Sequence, residues 1–364
     1  MVGADKRRLA RLIVSTVSLR NFRSYARLEL ALDPGLVLVT GPNGAGKTNL
    51  LESLHVGMQG FSPRTRSDGQ LLRFGEHAGR IALTGARGDS PLVLELALQA
   101  SEAKRAKLNG ASLRTAEQLR HEVATLVFTP DRLAIVKSGP AVRRAYFDRA
   151  VARFAPTRVS LAAEYGAAVA QRNAALRRIA GGLSLQATLE PWTTTVVELG
   201  AALVQARLEL LAALGPGFAE RADELGLPAA QLVYEGEPPT QQSLESVIQR
   251  DLERGTTGVG PHLDDVRILS GTRDVRIFGS QGEQRLTVLA LLLAEAELVM
   301  ERRGYAPLLL LDDVLSELDP LRRRVLAERV TARGQTLITS TTAAALPVQP
   351  AQLLEVSPGE IRAA

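Results

Sequence analysis

The chain has 364 residues, 45% of them hydrophobic, no cysteine and a formal net charge of +5. That length admits two or three domains, or one domain with a large insertion, and the lack of cysteine excludes disulfides, thiolate zinc sites and cysteine nucleophiles. The apolar runs VLALLLAEAELVM (288–300) and LLLL (308–311) are broken or ended by acids, short of the ~18 residues of a membrane span, and no long apolar stretch follows the basic start MVGADKRRLARLIV. A cytoplasmic protein with no membrane segment and no signal peptide is expected.

Taken in chain order, alternation predicts strands at LIVSTVSL (12–19), ARLELAL (26–32) and LVLVT (36–40), with Asp33-Pro34-Gly35 turning between the last two. LVLVT runs into Gly41-Pro42-Asn43-Gly44-Ala45-Gly46-Lys47-Thr48, a match to G-x-x-x-x-G-K-[ST] at every position. A helix over 49–58 follows, with Leu50, Leu51, Leu54 and Met58 on one face. Glycines in such a loop let backbone N–H groups converge on phosphate oxygens, and the helix start adds its positive dipole end. Lys47 is expected to bridge the β- and γ-phosphates of ATP, and the Thr48 hydroxyl to ligate Mg²⁺. Further strands are predicted at 79–85, 91–99 and 103–110, with Asn109-Gly110 as a hairpin turn.

From about 139 to 254 the texture is Ala-, Arg- and Leu-rich with helical spacing, broken at Gly181-Gly182. It reads as an all-helical insertion with a second long helix over 188–215 and a third helical piece ending near Gly255. Residues 131–178 hold ten basic residues (Arg132, Lys137, Arg143, Arg144, Arg149, Arg153, Arg158, Arg172, Arg177, Arg178) against three acids. Such a block reads as a phosphate-backbone footprint on DNA, the alternative being a solvated helix surface in a chain that prefers Arg to Lys. From 256 strands and helices alternate again. The expected organisation is an α/β P-loop ATPase head at 1–128, a helical arm at 129–254, and the rest of the head at 255–364.

Ser280-Gln281-Gly282-Glu283-Gln284-Arg285 precedes a long amphipathic helix that stops at Gly304. Ser280 and Glu283 have the spacing of a capping box, so the plain reading is a well-capped helix. LLLL (308–311) reads as a strand buried on both faces that ends in Asp312 and Asp313, at the position where α/β sheets bind ligands. Asp312 is expected to hold Mg²⁺ and Asp313 to orient or deprotonate the attacking water. Shortly after this strand comes Ser316-Glu317-Leu318-Asp319. The four histidines, His55, His77, His121 and His262, have no metal-ligand spacing.

This order of motifs resembles the ABC-type ATPases, with residues 280–285 as the signature motif and 316–319 as the D-loop. The resemblance implies a head-to-tail homodimer that closes on ATP. Ser280, Gln281, Gly282 and Glu283 of one copy, with Asp319, then complete the site begun by Gly41–Thr48 of the other. Within that class the chain resembles the RecF family of bacterial recombinational-repair proteins, related to SMC-type heads. The residues that carry it are LRNFRSYARLEL (19–30), Arg64-Thr65, Asp68, LLRFGE (71–76), FTPDRLAIVKSGPAVRRAYFD (128–148), TTGVGPHLDD (256–265), SQGEQR and LLLDDVLSELD. Leu263 departs from it, standing where a basic residue is expected, and Thr339, Ser340 or Thr341 occupies the place of the transporters' switch histidine. Asp313 replaces their usual glutamate, one methylene longer, which implies slow turnover. Gln59 and Gln70 are weak candidates for a Q-loop glutamine, and kinship with SMC heads puts Arg20, Asn21 and Arg23 near the nucleotide.

By resemblance the chain binds ATP with Mg²⁺ and binds DNA. It hydrolyses ATP weakly in a DNA-dependent way, and works with RecO and RecR to load recombinase at gapped DNA, with roles in replication, repair and the SOS response. Aromatics are 4% of the chain, few platforms for stacked bases, so backbone contacts to duplex or to a single-strand/duplex junction are expected. The alternatives are an ATPase subunit of a membrane transporter, which would use the same motifs, and a nuclease-linked relative of SMC heads, for which no acid cluster is present beyond Asp312-Asp313.

Overall fold

The computed structural model describes residues 10–65, 67–331 and 334–364. The basic start of the chain (1–9) lies outside them, as do the side chains of His121 and Glu317. Two compact units emerge: residues 1–132, 224–226 and 289–364, and residues 133–223 and 227–288.

The first unit holds two sheets. The strand Leu36–Thr40 lies inside a six-stranded sheet, parallel to Thr336–Ser340 on one side and Gln352–Ser357 on the other. Leu308–Leu311 and then Thr125–Phe128 extend it in parallel beyond Thr336–Ser340. Every residue of LVLVT, LLLL and TLITS is buried, as continuous apolar strands covered on both faces require. The other sheet is largely antiparallel and seven-stranded, led by Ala10–Phe22, Tyr25–Ala31, Ala78–Arg87 and Ser90–Gln99. Along Ser90–Gln99 buried and more exposed residues alternate, the mark of one solvated face. The Asn109-Gly110 hairpin is present, both residues at positive φ (47° and 82°).

The helix Lys47–Gln59 packs against strands of both sheets. Sequence periodicity assigned it a single apolar face, but it is buried nearly all round, Glu52, Ser53, His55 and Gln59 included. A helix between two sheets has no solvent side. Burial of Leu50, Leu51 and Leu54 stabilises by about 2 kcal/mol each. Gly57 permits the close approach: a Cβ there would meet Leu83 Cδ1 at 2.8 Å and Ile81 Cγ2 at 2.9 Å.

The second unit carries the helices Pro140–Phe154, Leu161–Ala180 and the 35-residue Glu190–Glu224. It is not all-helical. Ala230–Glu235, Asp265–Ser270 and Arg273–Asp274 form a three-stranded antiparallel sheet. The expected third helical piece is two short helices, Gln241–Ser246 and Ile248–Arg254. The unit runs on to residue 288 rather than ending near 254. The reason is pairing across distance: Ala230–Glu235 bonds in register with Asp265–Ser270, and no local periodicity signals that partner.

Arginines of the basic block are turned inward within this unit. Arg143, 4% exposed, makes a fork to both oxygens of Asp265 at 2.8 and 2.6 Å. Arg144 donates to the Asp264 carbonyl, and Arg177 to the Gly255 carbonyl. Arg172 and Asp251, each 1% exposed, form a 2.7 Å pair, with Thr257 accepting from the same guanidinium. Arg207 from the long helix likewise holds both oxygens of Asp148. Burial pushes the Asp265 carboxyl up, but the Arg143 hydrogen bond and charge outweigh it and hold it below its usual value. A buried arginine left unpaired would be strongly destabilising, so these residues fix the 256–265 segment. The run of positive charge in the sequence therefore overstates what this unit offers to a polyanion.

Candidate functional site

The strand Leu36–Thr40 delivers the chain into the loop Gly41–Thr48 at the C-terminal edge of the parallel strands. Gly41 (φ 148°) and Gly46 (φ 118°) occupy backbone only glycine tolerates here. A Cβ on Gly41 would lie 2.3 Å from the Val356 carbonyl oxygen, and one on Gly46 would lie 2.9 Å from the Tyr25 hydroxyl. That hydroxyl donates to the Gly46 carbonyl at 3.0 Å. Burial raises the Tyr25 phenol far above its usual range, so it remains a donor.

The helix begun at Lys47 has no side-chain cap. Its first-turn N–H groups stand ready for an anion. Lys47 donates to the carbonyls of Gly41 (2.6 Å) and Pro42 (3.0 Å). Its burial lowers the amine's pKa, and the charges of Asp313 and Asp312 act the other way. An ammonium folded over its own loop, with acids behind it, is placed to meet phosphate oxygens.

Thr48 Oγ1 lies 3.0 Å from both oxygens of Asp312. Thr339, fully buried on the neighbouring strand, donates to Asp312 Oδ1 at 2.7 Å and accepts from the Asp313 N–H at 2.8 Å. Asp313 sits in the left-handed region (φ 50°), turning the chain sharply after the strand. Burial raises the Asp312 pKa, and the hydrogen bonds from Thr339 and Thr48 oppose that shift. A hydroxyl and a carboxylate, both hard oxygen donors, suit Mg²⁺, which takes one or two protein oxygens and fills its octahedron with phosphate and water. Among the described residues no three His, Cys, Asp or Glu gather to hold a metal.

Of the three residues left open at 339–341, Thr339 is the one wired to the acids. Glu52 is a residue that sequence reasoning missed. Nearly fully buried on the loop's helix, it accepts a fork from Arg23 (2.9 and 2.7 Å), a bond from Arg64 (3.1 Å) and one from Ser62 (2.6 Å). The available signal was a carboxylate inside an apolar helical run, with Arg23 and Arg64 in segments that carry the family resemblance. Of the N-terminal trio only Arg23 reaches this helix. Asn21 bonds Glu76 and the Ala78 carbonyl, and Arg20 is exposed on the outer face of its strand.

The two glutamine candidates are otherwise engaged. Gln59 donates to the Val123 and Met58 carbonyls from a buried position, and Gln70 accepts from Thr65. Asp319 accepts from the Arg322 backbone and guanidinium at 2.9 Å, capping the following helix. His55 contacts the Phe61 carbonyl, His262 lies between Tyr165 and the Thr257 carbonyl, and His77 is exposed.

The signature turn belongs to the second unit. Ser280, Gln281 and Gly282 are exposed, and Gln284 is buried, donating to the Val275 carbonyl. The capping box forms in full: the Ser280 N–H donates to Glu283 Oε2 at 2.7 Å, and the Glu283 N–H to Ser280 Oγ at 3.2 Å. The backbone bond from Ser280 is the chief cause holding the Glu283 carboxyl below its usual pKa. Ser280 Oγ accepts there, and the Ser280 hydroxyl itself also helps to hold the Glu283 carboxyl down. Ile277 and Phe278, both 65% exposed, stand just before it.

Residues 13–358 match the family model of RecF/RecN/SMC N-terminal domains. The chain is 35% identical over 347 residues to the DNA replication and repair protein RecF of Bacillus cereus strain B4264, covering 91% of this chain and 92% of that one. It is 34% identical to the protein of that name from Bacillus thuringiensis strain Al Hakam, with the same coverage. Among solved structures, the recombination mediator protein RecF with ATP in the RecFOR pathway superposes with a TM-score of 0.89 at 25% identity, covering 99% of this chain and 100% of that one. The Smc head domain of Pyrococcus furiosus aligns with a TM-score of 0.58 at 16% identity over 97% and 96% of the two chains, a likeness of fold.

Proposed function

The chain belongs to the RecF family, within the wider group of RecF, RecN and SMC N-terminal domains, and on that premise we propose that it is an ATP-binding DNA replication and repair protein that dimerises on ATP, hydrolyses it slowly and acts at gapped DNA with RecO- and RecR-type partners. The observation that carries the ATP chemistry is the Thr48–Asp312–Thr339–Asp313 chain of hydrogen bonds behind Lys47. Thr48 and Asp312 would hold Mg²⁺, which supplies charge neutralisation at the β- and γ-phosphates. Lys47 and the uncapped helix start bind phosphate oxygens. Asp313, pinned through its own N–H by Thr339, orients the attacking water.

Ser280 and Gly282 act on the second copy. They are exposed, and a hydroxyl proton and a backbone N–H at a helix start are donors suited to a terminal phosphate. ADP lacks that phosphate, so ATP alone favours the closed pair, and differential affinity drives the switch. The relatives named for replication and repair speak for DNA, and against the transporter alternative. The test is ATP turnover with and without duplex DNA, alongside DNA affinity across a salt series. Slow turnover that DNA accelerates, with affinity falling steeply as salt rises, supports the reading. Turnover indifferent to DNA and affinity indifferent to salt would contradict it.

A further inference from the structure

The antiparallel sheet of the first unit carries a second pattern on its solvated face. Arg20 is the direct cross-strand partner of Arg27 on one side and of Arg80 on the other. Arg80 pairs in turn with Ala97, and Ala97 with Arg105. Directly opposed residues share a face, so four of the five positions in one row across five strands are arginine. Arg20, Arg27, Arg80 and Arg105 are all exposed. At the ~4.8 Å strand spacing, the row is about 19 Å long, roughly half a turn of B-form duplex.

Like charges directly opposed destabilise a sheet. Arg20 has one on each side, and among the described residues neither it nor Arg27 has an acidic partner. Arg80 and Arg105 lean on Glu95 and Glu102 in exposed pairs, which salt screens and a phosphate can replace. The acids Glu29 and Glu95 lie one pleat further along, opposite Ser18 and Ala82, so the uncompensated charge is confined to the end of the sheet nearest the Asn21–Ser24 turn. At that end stands Phe74, 101% exposed, on a turn whose Arg73 N–H donates to the Asn21 carbonyl. A fully exposed phenyl ring on the turn bonded to Asn21, the residue after Arg20, gives a stacking platform at the flank of a backbone track.

We propose that this face is the DNA-binding surface, with the row Arg27–Arg20–Arg80–Arg105 on duplex phosphates and Phe74 against the first unpaired base of a duplex–single-strand junction. This rests on the DNA reading above and moves the site from the arginine block, much of which is committed internally, to the sheet.

The test is fluorescence anisotropy of the full chain on blunt and tailed duplexes over a salt series. Arg20→Gln/Arg27→Gln is expected to lower the slope of log affinity against log salt by about 2 on both DNAs, with ATP binding intact and a melting temperature equal to or above the parent's. Lys137→Gln/Arg178→Gln, two exposed bases of the helical unit, is expected to lower it less. Phe74→Ala is expected to weaken the tailed duplex about tenfold, within the range of one lost stack, and leave the blunt duplex unchanged. A parent-like slope in the Arg20/Arg27 variant, or a larger fall in the Lys137/Arg178 variant, overturns the site while leaving the DNA reading standing. Equal effects of Phe74→Ala on both DNAs overturn the junction assignment. No DNA binding by the parent chain overturns both.

Discussion

Two helix starts divide the chemistry of this molecule. The helix at Lys47 begins with no side-chain cap, and its polar neighbours converge on it: Lys47 folded over the loop, Thr48 on Asp312, and Thr339 behind both acids. The helix at Gln281 begins with a complete reciprocal cap, and its leading residues face solvent. One start is incomplete without an anion and is held by its own unit. The other is satisfied alone and has donors to spare for something outside. On the proposed reading, a site split this way is half built in each chain and is completed only by a second copy.

The comparison breaks most visibly at Lys47. Lys47→Met is expected to reduce ATP and ADP affinity by about 100-fold in equilibrium binding, the scale of losing one partner of a buried charged contact, with the signature turn untouched. Parent-like affinity would mean the uncapped start is not the phosphate site. Thr339→Val comes next. It strips the shared hydroxyl from Asp312 and from the Asp313 N–H, and should cost about 2 kcal/mol in denaturant unfolding together with lost turnover. A variant of full stability would show the hub to be dispensable.

On the capped side, Glu283→Ala should cost about 1 kcal/mol of stability. Because the Glu283 pKa is depressed in the folded chain, its contribution is present above the ordinary carboxylate range and is lost as pH falls through the depressed value. The stability gap between parent and variant should therefore close in acid, and a gap constant with pH would contradict the cap. Smallest is Asp313→Glu, expected to speed turnover about threefold, some 0.6 kcal/mol of barrier. If hydrolysis is no faster, the shorter acid does not limit turnover.

Sequence alone made the uncapped half legible because its chemistry is local. Eight consecutive residues specify the loop, and a four-leucine strand ending in two aspartates specifies the acids. Thr339 was narrowed only to three neighbours, since which of them faces Asp312 depends on register between parallel strands. Glu52 was hidden because its arginines come from either side of the loop, at 23 and 64. The helical unit was misjudged for the same reason. The strands at 230–235 and 265–270 find each other across thirty residues, and Arg143 and Arg172 find Asp265 and Asp251 across greater separations. A run of arginine in sequence records charge but not which way each side chain turns.

The most direct test of the split site is mass by light scattering of parent and Ser280→Arg chains with ATP, with ADP and without nucleotide, with bound nucleotide quantified in parallel. The account predicts a parent dimer with ATP only, and a Ser280→Arg chain that binds ATP like the parent yet stays monomeric. A Ser280→Arg dimer of parent stability with ATP, or a parent whose mass ignores the nucleotide, would contradict it.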